Sequence, residues 1–126
     1  MQVVMTRPEQ LRSRTKQFAL RVLKMFQALP KSDEARVIGR QVLRSGTSVG
    51  ANYRAVCRAR SRKEFISKLA VVIEEADETV FWFELLIEGG IVPERKLTAL
   101  LAEAEELLAI FAASARTAKK HSRASQ

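Results

Sequence analysis

The chain has 126 residues, 22 Lys/Arg against 14 Asp/Glu and a formal net charge of +8. That length is one domain, and 47% hydrophobic residues supply a core. Five glycines and three prolines are too few turn residues for an all-β fold, one cysteine excludes an internal disulfide, and no run reaches the ~18 apolar residues of a membrane span.

Alanine, leucine, glutamate, lysine and arginine dominate, which favours helices. The basic balance speaks to partners, with nucleic acid foremost and an anionic lipid surface the weaker alternative. The start, MQVVMTRPEQ, lacks the apolar core of a signal peptide, so a cytoplasmic protein is expected. The charge is unevenly spread. Residues 1–68 carry 16 Lys/Arg and 4 Asp/Glu, residues 69–115 carry 2 and 10, and residues 116–126 carry 4 and none. Segments of opposite sign can pair within a subunit or between subunits.

Residues 1–6 are expected to fray. Pro8 suits the first turn of a helix, with Thr6 or Arg7 near its cap. Leu11, Phe18, Val22, Met25 and Leu29 then recur at threes, fours and sevens, one apolar face of a helix over about 8–29. Leu20, Leu23 and Phe26 form a second, partial stripe, more than a lone bundle needs, which points to another contact surface. Pro30 ends this helix, and Ser32 caps the next, with Asp33 and Glu34 in its first turn.

Helix two is predicted over 33–59, with Ile38, Val42, Ser45, Val49, Asn52 and Val56 along its seam. Gly39, Ser45, Gly46, Thr47, Ser48, Gly50 and Ala51 are unusually small for one helix. A phosphate-binding loop is the competing reading, but no strand precedes the run and no Gly-Lys-Ser/Thr follows it. The apolar residues stay in phase across it, so it reads as a helix whose small face admits a close neighbour.

Ser61-Arg62-Lys63-Glu64 fits a capping box and opens helix three, predicted over 62–88. Phe65, Leu69, Val72, Ala76, Val80, Phe83 and Ile87 mark its core face, widened by Ile66, Ile73, Trp82, Leu85 and Leu86. So wide an arc leaves residues over for another subunit. Gly89-Gly90 is the stop. Pro93 opens helix four, predicted over 93–115, with Leu97, Leu100, Leu101, Ala104, Leu107, Leu108 and Phe111 as its stripe and Glu103, Glu105 and Glu106 mostly outside. Residues 116–126, RTAKKHSRASQ, read as a basic disordered tail. Four amphipathic helices on short connections predict an all-α, antiparallel, up-down-up-down four-helix bundle over 1–115.

The middle of the chain resembles a known family. Arg44-Ser45-Gly46-Thr47-Ser48-Val49-Gly50-Ala51-Asn52-Tyr53-Arg54 is followed by Ser61-x-x-Glu64-Phe65-Ile66-x-Lys68-Leu69, then by Glu75-Ala76-x-Glu78-Thr79-x-x-Trp82-x-Glu84-Leu85-Leu86. In that order these segments resemble the bacterial four-helix-bundle proteins related to the intervening-sequence proteins of 23S ribosomal RNA genes. The resemblance implies an antiparallel bundle that assembles as a ring-like homopentamer. It also implies similarity to the accessory protein of diversity-generating retroelements, which binds nucleic acid and a reverse transcriptase. Many members carry an acid shortly after the Asn, where this chain has Ala55 or Val56.

The chemistry of the chain is concentrated in a basic cluster. Arg40, Arg44, Arg54, Arg58, Arg60, Arg62, Lys63 and Lys68 surround the connection between helices two and three. Arg40 with Arg44, and Arg54 with Arg58, stand at i,i+4 and share a face suited to phosphates. The competing reading pairs the cluster with Glu74, Glu75, Asp77 and Glu78 of a neighbouring helix or subunit. Tyr53 reads as a packed aromatic before a base-stacking one, and Cys57 as a small packing residue. A carboxylate metal site would need Glu-x-x-His pairs on facing helices, and His121 is the only histidine, so no metal or other cofactor is expected. Arg116-x-x-x-x-His121 resembles the arginine–histidine pair of the helical HEPN ribonucleases, but in a tail without a supporting polar shell it does not define an enzyme. The expectation is a non-enzymatic, oligomeric helical scaffold that binds RNA or DNA non-specifically. The alternative is a protein-binding adaptor for a nucleic-acid enzyme such as a reverse transcriptase.

Overall fold

The structure is a computed structural model; it describes residues 7–124, with side chains through Ser122. It consists of α1 (Arg7–Gln27), α2 (Asp33–Cys57), α3 (Arg62–Glu88) and α4 (Glu94–Ala124), with no strand among the described residues. The fraying expected for residues 1–6, and Thr6 as a cap, lie outside the described residues.

The helix starts follow local chemistry. The Ser32 hydroxyl accepts the Ala35 N–H at 3.3 Å, and the Ser61 hydroxyl accepts the Glu64 N–H at 3.0 Å. The Ser61 side of the predicted capping box forms, and the Glu64 carboxylate pairs with Lys68 at 3.0 Å. The stop after α3 rests on Gly90, whose φ of 70° is open to glycine at no steric cost. Helices α1 and α2 end at Gln27 and Cys57, short of the predicted 29 and 59. At both ends the chain tightens first. The amides of Ala28, Leu29, Arg58 and Ala59 bond to carbonyls three residues back rather than four.

Contacts fix the bundle's topology. Gly39 faces Phe26 and Leu29, Gly46 faces Val22, and Gly50 faces Thr15, so α2 runs antiparallel to α1. Ser45 meets Thr79 while Val56 lies near Phe65, so α3 runs antiparallel to α2. Arg14 meets Glu103 while Met25 lies near Leu97, so α4 returns along α1. Each helix packs on its two neighbours in this ring, and α1 and α4 approach each other least.

The core follows the predicted stripes, with Phe18, Val22, Val42, Val49, Leu69, Val72, Phe83, Leu97, Leu107 and Phe111 at 2% exposure or less. Thr15, Thr79 and Leu86 join it. The small face of α2 performs the close approach expected of it. A Cβ on Gly46 would lie 2.9 Å from a Val22 methyl, and one on Gly50 would lie 3.2 Å from the Thr15 carbonyl oxygen.

The tail is the main correction. Where disorder is expected from 116 onward, α4 continues to Ala124. Ala115 is buried, and Ser114, Ala118 and Ser122 are half-buried at i,i+4 spacing. This narrow small-residue stripe, among helix-favouring Ala, Arg and Lys, lets the last turns lean on the bundle end. Residues 125–126 lie outside the described residues. No helix among the described residues is long and apolar enough to cross a membrane.

Candidate nucleic-acid interface

The eight predicted basic residues do not form one surface. Arg44 is spent on α3: its guanidinium reaches Glu75 at 3.2 Å and also bonds to Glu78. That bond, followed by one from the Trp82 indole N–H at 3.1 Å, holds the Glu78 carboxyl below its usual range. Lys68 pairs with Glu64. Arg40 and Lys63 are exposed but stand outside the surface clefts described next.

Arg54 and Arg58 do come together, with partners from α1 that the sequence reading did not single out. They share a groove with Arg12 and Lys16, over a floor of Ala19, Gly50 and Ala51. The groove exists because those floor residues are small. The helices close in at Gly50, and the long cationic side chains stand as walls on either side. None of these four cations forms an ion pair among the described residues. Arg12 and Lys16 carry the same i,i+4 spacing as Arg54 and Arg58. That signal was available, but only the packing of α1 on α2 sets the two pairs face to face.

Arg60 and Arg62 lie at the end of the bundle instead. There the start of α1, the end of α2, the start of α3 and the last turns of α4 surround an open depression of about 890 Å³. Arg7, Arg12 and His121 also line it. Arg116 does not, so the arginine–histidine spacing noted in the sequence does not bring that pair into one site. Tyr53 is packed as expected, 6% exposed with its ring 5.2 Å from Phe111. Burial and the neighbouring Cys57 push its phenol up to about 12, against the opposing pull of Arg12 and Arg7. Cys57 departs from its expected packing role: it is exposed, because it occupies the last turn of α2 where groove and depression meet. No group of three or more His, Cys, Asp or Glu among the described residues is placed to hold a metal ion.

Fold and surface together define a small helical bundle with a cationic groove along one seam. Over residues 10–113 the chain matches the family described as 23S rRNA-intervening sequence protein, and it belongs to that family. It is also similar to a solved structure from Bacteroides thetaiotaomicron, described as a protein of unknown function from the S23 ribosomal protein family. The two share 30% identity and a TM-score of 0.80, covering 88% of this chain and 99% of the other. No curated protein matches the chain.

Proposed function

We propose that this protein is a non-enzymatic, oligomeric scaffold whose basic surface binds RNA or DNA without sequence specificity. The carrying observation is the α1–α2 groove, where Arg12, Lys16, Arg54 and Arg58 converge without carboxylate partners among the described residues. Unpaired cations held on rigid helices suit a phosphate backbone, whose counterions they release. The absence of a base-reading motif makes the binding sequence-independent. The family's name refers to 23S rRNA, which accords with a nucleic-acid partner. Self-association, as a homopentamer by family resemblance, is supported by apolar side chains left outside the core, including Leu20, Leu23, Phe81 and Leu85.

Labelled RNA and DNA titrated across a salt series test this reading. Affinity should fall linearly on logarithmic axes, and R54E/R58E should reduce the slope by about 1.4 to 1.8 for the two lost phosphate contacts. Absence of binding at low salt would sink it. The same exposed apolar side chains would then favour the adaptor role, docking a nucleic-acid enzyme without touching its substrate.

A further inference from the structure

At the opposite end of the bundle an open cleft of about 510 Å³ runs between α1 and α4. The Arg14–Glu103 pair closes this seam just beyond it, and Ala28 and Ala99, which line it, are too small to fill it. Val92, Leu97 and Leu100 at its back belong to the core, at 8% exposure or less. The apolar surface a partner can reach is therefore half-buried Met25, Leu29 and Ile91, with exposed Pro30 and Pro93 on the two helix connections. Three exposed cations rim this surface, Arg21 and Lys24 on α1 and Lys96 on α4. None of the three forms an ion pair among the described residues, and no carboxylate among those residues lines the cleft. Arg21 draws the Glu103 carboxyl down from a distance, but the bonds to that carboxylate come from Arg14. Glu94 opens α4 and lies outside the lining.

This combination selects among partners. Apolar side chains ringed by cations are best covered by an apolar surface that is itself ringed by carboxylates. The lining has no aromatic ring on which a base could stack, which disfavours a nucleic acid. Cations stand on both walls, which suits several carboxylates spaced along a partner rather than the single one of a fatty acid. Both walls are helical, and no strand among the described residues offers an edge, so an extended peptide would leave its backbone unpaired where a helix satisfies its own. Met25 adds a side chain that adapts its shape to what lies on it. We infer that the α1–α4 cleft docks an acidic amphipathic helix of another protein, its aliphatic side chains over Met25, Leu29 and Ile91 and its carboxylates against Arg21, Lys24 and Lys96. Since α2 and α4 flank α1 on different sides, this face is separate from the α1–α2 groove, and the inference stands whether or not that groove binds nucleic acid.

The test titrates fluorescent helical peptides of about 16 residues into the full chain. One carries leucine at i, i+4, i+7 and i+11 among alanine and glutamate, one has lysine in place of each glutamate, and one has the first composition with its leucines off the helical spacing. The acidic amphipathic peptide should bind about tenfold more tightly than either of the others. Ala99→Trp, which fills the cleft from an exposed position, should abolish that binding at unchanged thermal stability, and R21Q/K96Q should remove most of the preference for acid over base. R54E/R58E and L20E/L23E should leave the binding as it is, which separates the cleft from the cationic groove and from the exposed leucines of α1. Binding that survives Ala99→Trp, or that is lost in R54E/R58E or L20E/L23E, would overturn the inference, and so would equal affinity for all three peptides. With no peptide binding, decanoate bound by the native chain and not by Ala99→Trp would replace the docked helix with a small amphiphile, and labelled RNA with the same sensitivity would replace it with a nucleic acid.

Discussion

Arg14 shows how much one ion pair contributes when its geometry is fixed. Its guanidinium grips Glu103 through two bonds of 2.6 and 2.8 Å and reaches Glu106 at 3.1 Å. The Glu103 side chain is only 17% exposed, and the Arg14 bond holds its carboxyl below the usual range. A depressed carboxyl contributes stability that is full above its unfolded value, ~4.3, and lost as pH falls through the native one. Glu103→Gln should cost about 1 kcal/mol at neutral pH, measured by chemical denaturation, and the deficit should shrink in acid. A deficit that is constant with pH would mean that packing, not charge, is what the substitution disturbs. The sequence could not single out this carboxylate. Glu103, Glu105 and Glu106 all read as outward, and only the docking of α4 on α1 distinguishes the first.

At the level of the element, the small face of α2 sets the distance to α1, and its glycines are not equivalent. Gly46→Ala gains ~1 kcal/mol of helix propensity. Against this, the new Cβ meets the branched methyls of fully buried Val22 at 2.9 and 3.0 Å. Overpacking of that kind costs about 1 to 3 kcal/mol, so the variant should be less stable. Gly39→Ala meets the far end of half-buried Leu29, which can rotate away, and should be neutral or stabilising by up to about 1 kcal/mol. Thermal melts of the two variants check the order, and equal destabilisation would refute the argument. The helices and their buried faces were legible because a wide apolar stripe repeats every turn. The end of α4 was not, because Ser114, Ala115, Ala118 and Ser122 make a stripe too small and polar to stand out by hydropathy. The groove was half legible: Arg54 and Arg58 stood out on one helix, while only the packing of α1 on α2 adds Arg12 and Lys16.

For the whole molecule, α1 and α3 occupy opposite corners of the bundle. Leu20 and Leu23, 49% and 40% exposed, sit beside Lys16 and Lys24, and Phe81 and Leu85, 53% and 37% exposed, sit beside Asp77, Glu84 and Glu88. Two such patches, complementary in charge and facing opposite ways, suit a head-to-tail contact that closes into a ring where the rotation permits. Sedimentation velocity should show an assembly for the native chain and monomers for L20E/L23E and F81E/L85E alike. A native monomer would refute self-association. The seam between α1 and α4, held by Arg14 and otherwise the least closely packed, also joins the two helices farthest apart in sequence. Closing it completes the longest loop in the chain, so it gains the least against the entropy it costs. The bundle should therefore breathe by releasing α1 from α4 while α2 and α3 stay paired. Native-state hydrogen exchange should find the α1 amides opening at lower free energy than those of α2 and α3, and uniform protection would exclude such a hinge.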